Sequence, residues 1–456
     1  MNLADKQPQM WRQLELPLAP TGEAAVGSRS GEAAAATTEH PRSGNGGLME
    51  SVLSRDNMLA ALKRVRRNKG AAGIDRMSVE TLPEYLKTNW PMIRRRLLDG
   101  TYEPKGVRNV DIPKPNGGSR RLGIPTVLDR LIQQALLQVL GPTFDTTFSD
   151  RSYGFRPGRN AHDAVLQAKK YVQQGNGIVV DIDLEKFFDH VDHDILMAKL
   201  AKRIDDKRIL ILIRRYLRAG SFSEGCLAES REGTPQGGPL SPLLANVMLD
   251  EVDKLLESKG RPFVRYADDC NVYVTNQRVG ERVLGQLRKA FAKLKLRVNE
   301  AKTAVAPVHE RKLLGYTLYV ADGETKVRVS TAARKKFMAT VRARTRRSHS
   351  KSIEQFAADL APLIRGWGNY FCLAPRSTMQ KLDSWIRRRL RMIQVRQWGG
   401  GTNARYQLRR LGAPSRKVHF EFAKNWDRYW YVSGLKVVQM ALPARYFAEK
   451  GLPSLA

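Results

Sequence analysis

The chain has 456 residues, with 78 Lys and Arg against 45 Asp and Glu, and a formal net charge of +33. Hydrophobic residues make up 42%, enough for sizeable cores, and the length suggests two to four domains. This surplus of positive charge disfavours an ordinary metabolic enzyme. It favours a polyanionic partner, with nucleic acid ahead of an anionic membrane surface.

Three further features disfavour a membrane-embedded or secreted protein. No apolar run approaches the length of a bilayer span. The first residues lack the basic-then-apolar order of a secretory signal. The three cysteines, Cys226, Cys270 and Cys372, are far apart and odd in number, so they predict neither a disulfide framework nor a zinc site. We expect no membrane partner and a reducing, intracellular setting.

The charge is unevenly distributed along the chain. Residues 1–50 carry a net charge of −2, residues 51–333 carry +15, and residues 334–456 carry +20. The first segment is rich in Ala, Gly, Ser and Thr and buries little apolar surface, so we expect a disordered tail there.

A globular pattern of mixed helices and strands begins at residue 51. Apolar residues recur at helical spacing at Leu59, Leu62 and Val65, and segment 124–140 is typical of an amphipathic helix. The apolar run Ile178–Ile182 predicts a strand buried on both faces. After residue 330 the pattern is mostly helical and very basic.

Two adjacent carboxylates, Asp268 and Asp269, stand on a tight connection between the strand-like runs 263–266 and 271–274, which predict a β-hairpin. Such carboxylates repel each other, and a divalent cation such as Mg²⁺ would compensate them. Taken alone, the pair is more simply an Asp-rich turn.

A second acidic element changes that balance. The strand at 178–182 runs into Asp181 and Asp183, followed by an aromatic pair. A solvated helix face over 192–203 accounts for the later acids of this stretch but poorly for these two. One such carboxylate and one or two from the hairpin could clamp two metal ions for an in-line phosphoryl transfer.

Between the acidic elements lies a glycine- and proline-rich loop, 233–242, that leads into an apolar helix. Ser241 followed by Pro242 predicts an N-cap and a first helical position. Gly237 would let the backbone approach a ligand closely, and Gln236 offers an amide.

These motifs, in this order, resemble bacterial group II intron-encoded reverse transcriptases of the maturase class, from about residue 51 to the C-terminus. Segment 112–125 resembles the fingers hairpin, in which the resemblance implies that Lys114 and Arg120 contact the triphosphate of the incoming nucleotide. Segment 152–158, with Arg156, resembles the block that contacts template and nucleotide.

The resemblance also implies the catalytic set. Asp183, Asp268 and Asp269 match the metal-binding carboxylates, which would hold two Mg²⁺ ions. Phe188 stands five positions after Asp183, as does the family's aromatic that excludes a 2′-hydroxyl. This spacing favours Asp183 over Asp181 as the first ligand, with Asp181 supporting it. Neighbouring Leu184 is given no metal-binding role.

Further family contacts are implied downstream. Gln236 and Gly237 match the block packed against the template–nucleotide pair. Lys302 resembles the lysine near the pyrophosphate leaving group, and 313–316 resembles the primer grip.

The basic C-terminal part resembles the thumb or maturase region. Its aromatic residues are individually most simply helix core, whereas its clustered arginines fit the binding of RNA or DNA backbones. The arginines predicted to bind nucleic acid are Arg365, Arg387, Arg388 and Arg389. No Cys-x-x-Cys pair follows them, so we expect the DNA endonuclease domain of larger members to be absent.

The expected fold class is α+β: a right-hand polymerase fold over 51–330, then a helical thumb or maturase domain over 331–400. A small basic DNA-binding region over 401–456 follows. The expected function is RNA-directed DNA polymerase and splicing maturase, with intron RNA, a DNA target or primer, and dNTPs as partners. Localisation would be bacterial, cytoplasmic and nucleoid-associated, and the oligomeric state stays open, with a dimer compatible. Two alternatives remain: a splicing cofactor whose polymerase site is unused, and a reverse transcriptase repurposed for phage defence or a CRISPR locus.

Overall fold

In the computed structural model, the described residues are 47–113, 119–223, 226–228, 232–234, 237–346, 351–422 and 425–456. The predicted disordered tail therefore lies almost wholly outside the described residues. The chain divides into two compact units, Met1–Pro307 and Val308–Ala456. Both mix helices and strands, which confirms the α+β class.

The first unit begins with helices that pack around a long, largely buried one. The predicted helix over 124–140 is confirmed, beginning at Val127 and extending to Asp145, and Thr126 caps it by accepting a hydrogen bond from the Asp129 backbone. The helices up to the central sheet are α1 (Leu48–Val52), α2 (Arg55–Asn68), α3 (Leu82–Leu98), α4 (Val127–Asp145) and α5 (Ala161–Gln173).

A four-stranded antiparallel sheet forms the centre of this unit, in the order β6-β7-β3-β8. The predicted strand 178–182 and hairpin are both confirmed, with tighter hairpin bounds than the sequence indicated. The strands are β3 (Ile178–Ile182), β6 (Phe263–Tyr266), β7 (Asp269–Val274) and β8 (Ala304–Pro307).

The two faces of this sheet differ. Val180 and Ile182 point into the main hydrophobic core, as do the residues that pair with them on β7. Because strand side chains alternate, Val179 and Asp181 point to the opposite face. There Tyr171 of α5 packs against Tyr273, with ring centroids 5.8 Å apart. The far end of that face is where the acidic side chains emerge.

The remaining helices of the unit complete the core. A helix starts at the glycine- and proline-rich loop, as predicted, but Ser241 is its first helical residue and not its cap, which is Leu240 and makes no side-chain bond. These helices are α6 (His193–Ala201), α7 (Lys207–Arg218), α8 (Ser241–Ser258) and α9 (Gln277–Lys293).

A second sheet contains the segment that resembles the fingers hairpin. Strands β1 (Val107–Pro113) and β2 (Ser119–Ile124) pair antiparallel, with Ile112 opposite Arg120. Two short strands, β4 (Ser221–Ser223) and β5 (Cys226–Ala228), extend the sheet in the order β2-β1-β4-β5.

The second unit opens on a hairpin and continues as helices, which confirms the helical pattern predicted after residue 330. Phe337, Trp367 and Phe371 form part of its core, with Trp367 centred 4.4 Å from Phe337 and 4.5 Å from Phe371. Its elements are β9 (Tyr316–Ala321), β10 (Glu324–Val329), α10 (Thr331–Arg344), α11 (Ile353–Tyr370), α12 (Arg376–Gln397), α13 (Gly401–Arg410), α14 (Ser415–Lys417), a π-helical turn (Val418–Phe422), α15 (Tyr429–Val432), α16 (Lys436–Ala441) and α17 (Ala444–Glu449).

Within the described part of the chain, none of the helices combines the length and the apolar character needed to cross a bilayer.

Two glycines on α9 provide a matched test of how this helix packs on the sheet. A Cβ at Gly280 would lie 2.4 Å from Val305 Cγ1, whereas one at Gly285 would meet nothing within 4 Å. We expect Gly280→Ala to lower the free energy of unfolding by about 1–3 kcal/mol through overpacking. Gly285→Ala should raise it by roughly 0.5–1 kcal/mol, because alanine is the better helix former. Urea unfolding measures both, and equal effects would contradict this packing.

Candidate functional site

The β6–β7 hairpin presents two carboxylates at a tight turn. Tyr266 pairs with Asp269, so Ala267 and Asp268 form a two-residue loop. Ala267 has a φ of 58° and Asp268 has a negative φ, a combination typical of a type II′ turn. A Cβ at Gly154 would lie 2.2 Å from the Ala267 backbone nitrogen, so this position accepts only glycine. The backbone of Gly154 thus packs directly against the backbone of this turn.

A buried arginine holds the same turn from inside. Arg265 is 1% exposed and Asp253 on α8 is fully buried. The Arg265 guanidinium donates to both carboxylate oxygens of Asp253 at 2.6–2.9 Å. It also donates to the Ala267 carbonyl at 2.9 Å and to Asn246 Oδ1 at 2.8 Å. The guanidinium therefore ties the backbone of the turn to α8.

The acidic end of β3 lies beside this hairpin. Asp181 pairs in register with Asn271, whose amide donates to Asp181 Oδ1 at 3.0 Å. The pairing ends at Ile182, opposite Cys270, so Asp183 follows β3 at the sheet edge where Asp269 begins β7. Asp183 and the Asp268–Asp269 turn therefore lie at the same edge of the central sheet, and their union in one metal site stays a prediction.

A lysine from a distant segment contacts the first of these carboxylates. Lys302 Nζ lies 3.2 and 3.3 Å from the two carboxylate oxygens of Asp183. The backbone holds this arrangement, since Asn299 donates to the Asp183 carbonyl at 2.8 Å and the Asp183 amide donates to Thr303 Oγ1 at 3.2 Å. Lys302 thus contacts the carboxylate predicted as the first metal ligand, and its implied role near the pyrophosphate leaving group stays a prediction.

The chemistry of these side chains suits a hard divalent cation, which prefers carboxylate oxygens. Asp183 and Asp268 are half-buried and Asp269 is exposed, so none of the three side chains is fully buried. Within the described ranges, however, no three Asp, Glu, His or Cys side chains already converge as a metal-binding group. The residue types fit Mg²⁺, and the side chains would have to converge on it.

The aromatic pair after β3 contacts the loop that precedes α8. Phe188 is half-buried, and its ring meets that of Phe187 edge-on at 5.1 Å. The Phe188 carbonyl accepts a hydrogen bond from the Thr234 amide at 2.7 Å. Gly233, at φ of 92°, has no room for a side chain against this turn. Its carbonyl lies 2.7 Å from Nε2 of His193, whose pKa burial lowers.

The glycine loop also lies against the strand that carries the fingers segment. A Cβ at Gly237 would lie 2.8 Å from the Gly123 carbonyl at the end of β2, and Gly237 has φ of 133°. Gly237 thus approaches the backbone of β2, and its predicted approach to a ligand stays a prediction. Gln236 and Lys114 lie outside the described residues, and Arg120 is placed by its backbone alone.

Arg156 is not placed to bind nucleic acid. Its side chain is 4% exposed and pairs with Asp145 at 2.6 Å. It also donates to the carbonyls of Asp145, Ser149 and Ser152. The guanidinium is thus engaged in hydrogen bonds within the protein, so the prediction that Arg156 binds nucleic acid is wrong. A sequence pattern shows an arginine's charge but not the partners that bury it.

The predicted arginines of the second unit differ in setting. Arg365 is exposed on α11, and Arg387 is half-buried on α12. Arg388 lies over the Trp430 ring, 4.3 Å from its centroid. Arg389 donates to the hydroxyl and carbonyl of Thr345 at 2.9 and 3.1 Å.

The Arg265–Asp253 pair is absent from the residues that the sequence predicts for the site. A signal for it exists, since each is a charged residue at an apolar position, Arg265 in a strand and Asp253 on a largely buried helix face. Charged residues are almost never fully buried unless they are paired.

Comparisons with known proteins agree with this architecture. Residues 112–318 match the family model described as reverse transcriptase (RNA-dependent DNA polymerase). Residues 334–412 match the model of the group II intron, maturase-specific domain. A sheet edge with paired carboxylates thus lies inside a polymerase domain, and the basic helices lie inside a maturase domain. The chain thus contains a reverse transcriptase domain followed by a group II intron maturase-specific domain.

Several relatives match parts of the chain. Protein YkfC of Escherichia coli is 37% identical over 215 residues, 46% of this chain and 56% of that protein. Group II intron-encoded protein LtrA of Lactococcus lactis is 36% identical over 210 residues, 46% of this chain and 35% of LtrA. Nuclear intron maturase 1, mitochondrial, of Arabidopsis thaliana is 27% identical over 198 residues, 32% of this chain and 27% of that protein. The matches span between about a quarter and just over half of these relatives.

Two solved chains from Cas6-RT-Cas1–Cas2 complexes also align with this chain. One has a TM-score of 0.36 at 23% identity and covers 56% of this chain and 44% of its own. The other has a TM-score of 0.38 at 17% identity and covers 89% of this chain and 50% of its own. At these scores the alignments carry no argument about function.

The buried ion pair beneath the turn makes a stability prediction. Arg265→Met leaves Asp253 buried without its main partner, and Asp253→Leu leaves Arg265 buried without its main partner. Each single change should lower the free energy of unfolding by about 3–5 kcal/mol. The double variant removes both charges and should be less destabilised than either single variant. Urea unfolding of the three proteins measures this, and a double variant as unstable as the sum of the singles would refute the coupling.

Proposed function

We propose that this chain is the RNA-directed DNA polymerase of a group II intron, copying RNA into DNA by attack of a primer 3′-hydroxyl on the α-phosphate of a dNTP. The observation that carries the proposal is that β3, which leads into Asp183, pairs with β7, which begins at Asp269, so both acidic segments lie at one sheet edge. This edge lies inside the segment that matches the reverse transcriptase family. Phosphoryl transfer depends mainly on positioning and charge stabilisation, which rigid strand ends can supply.

In this mechanism Asp183, Asp268 and Asp269 would hold two Mg²⁺ ions. When bound, the ions would stabilise charge on the attacking and leaving oxygens. Asp181 would support the site without binding a metal ion, since its carboxylate accepts a hydrogen bond from Asn271 within the sheet. Lys302 would leave Asp183 and neutralise the pyrophosphate leaving group.

The remaining residues would position the nucleotide. Lys114 and Arg120 would neutralise its triphosphate from the fingers hairpin. Phe188 would lie beneath the sugar and select the deoxy form. Gln236 and Gly237 would pack against the template–nucleotide pair, next to the fingers segment on which Gly237 lies.

The two candidate first ligands predict different losses. Asp183→Asn and Asp268→Asn should each lower Mg²⁺-dependent dTTP incorporation on poly(rA)–oligo(dT) by roughly 10³-fold or more, because metal stabilisation supplies several kcal/mol. Asp181→Asn should cost only about 10–100-fold, as expected for a supporting residue.

Asp205→Asn, an exposed acid on the loop before α7, is the matched control and should retain full incorporation. Near-wild-type incorporation by Asp268→Asn would overturn the proposed polymerase site. A deeper loss in Asp181→Asn than in Asp183→Asn would instead exchange their roles.

A second role is supported by the maturase-specific match over 334–412 and by the +20 net charge of residues 334–456. We propose that this basic region, with Arg365, Arg387, Arg388 and Arg389, binds the backbone of intron RNA and the DNA target and assists splicing. Binding through phosphates implies a steep loss of affinity as salt rises. The helices over 331–400 would serve as thumb and maturase domain, and residues 401–456 as a DNA-binding region.

The two roles should separate in one variant. A double Asp268→Asn, Asp269→Asn protein should lose dTTP incorporation and still promote splicing of its intron RNA, because the changed residues lie in the first unit. Splicing and incorporation assays on the same preparation test this. Joint loss of both activities in a folded double variant would contradict separate sites.

A further inference from the structure

A cavity of about 700 Å³ opens in the second unit, between the end of α10, the middle of α12 and the short helix α15. This size falls within the range of small-ligand sites, about 300–1,000 Å³. The residues that line it are Arg342, Thr345, Arg346, Trp385, Arg389, Met392, Arg396 and Trp430. The cavity lies outside the carboxylate site and none of the roles above uses it.

The lining carries a strong positive charge. Four of its eight residues are arginines, and among the described residues that line it there is no carboxylate. Thr345, at 0% exposure, fixes Arg389 by accepting from its guanidinium through both hydroxyl and carbonyl. Guanidinium groups held this way bind phosphate oxygens in a defined, often bidentate, geometry. An anionic ligand with phosphate-like oxygens therefore suits the cavity.

The two tryptophans add a second kind of contact. Arg342 and Arg389 both lie over the Trp385 ring, with their Cζ atoms 5.4 and 5.6 Å from its centroid, so this ring already contacts arginines. Trp430 is different. Arg388, which does not line the cavity, lies over the Trp430 ring, and Trp430 as a whole residue is 38% exposed. A flat group in the cavity can stack on the rest of this indole.

We propose that this cavity binds one unpaired nucleotide of a single-stranded RNA segment, with its base on Trp430 and its flanking phosphates on the arginines. The inference rests on the proposed RNA-binding role of the basic region and names the form of RNA that is recognised. Paired bases are already stacked within a helix and cannot enter a concave site, whereas unpaired bases stack readily on aromatic side chains. An acidic peptide would satisfy the arginines but leave the indole face unused.

Fluorescence anisotropy of the full chain with a labelled, non-self-pairing RNA strand tests the proposal. A strand of roughly ten nucleotides lies within the site sizes of single-strand binders. Trp430→Ala should weaken binding of this strand by roughly 5- to 150-fold, the loss expected for one base–aromatic stack. Binding of the same strand annealed to its complement should change by less than about twofold. Equal weakening of both forms, or of neither, would overturn the proposal.

Two control variants share the unit but not the cavity. Tyr406→Ala removes a 60% exposed aromatic ring from α13, and Arg376→Ala removes an exposed arginine from α12. Neither should distinguish single-stranded from duplex RNA. If Tyr406→Ala lost single-strand binding as Trp430→Ala does, general stacking on this surface would replace the cavity as the explanation.

A second measurement needs no variant and covers the case in which Trp430→Ala fails to fold. The wild-type chain is irradiated with the same strand carrying 4-thiouridine, and the crosslinked peptides are identified. Crosslinks at 342–346, 385–396 or 430 support the proposal, and crosslinks confined to other segments overturn it.

Incorporation of dTTP by the wild-type chain, measured alongside, distinguishes this inference from the proposed function. Selective single-strand binding without dTTP incorporation would contradict the proposed polymerase function and support the proposed nucleotide site in the cavity. Incorporation of dTTP without selective single-strand binding would support the polymerase function and contradict the nucleotide site.

Discussion

The candidate site depends on one buried ion pair. A carboxylate-bearing turn is stable only if its backbone is fixed, and Arg265 fixes it by bonding the Ala267 carbonyl while paired with Asp253. Two fully buried charges are costly to desolvate, so a pair of this kind contributes little net stability compared with apolar side chains. Its value lies in geometry, because the same guanidinium that satisfies the buried carboxylate also sets the hairpin relative to α8.

Much of this arrangement could be predicted from the sequence. The alternation of apolar and acidic residues around Ile182, and the strand-like runs on either side of Asp268, follow from local patterns of burial and turn formation. These are short-range properties, and β3 and the β6–β7 hairpin formed where they predicted. The family resemblance added Lys302, which the structure places 3.2 Å from Asp183.

Two arginines show what the charge pattern could not predict. Arg156, predicted to bind nucleic acid, and Arg265, for which nothing was predicted, are each buried by a partner on another element. The charge pattern alone cannot distinguish an arginine that is free to bind a phosphate from one whose guanidinium is already hydrogen-bonded inside the protein. The prediction that Ser241 caps the helix was wrong for a local reason. The helix begins one residue earlier than predicted, so Leu240 takes the cap position.

The contact between Lys302 and Asp183 has a consequence for how the site is assembled. The ammonium acts as an internal counter-ion, so the acidic edge is partly neutralised before any cation or nucleotide arrives. Under the proposed function, loading the site is then an exchange and not a simple addition. An entering cation must compete with the lysine, and the displaced ammonium becomes available to the substrate's phosphates. Cation and substrate occupancy would thereby be linked through one exposed side chain on the loop before β8.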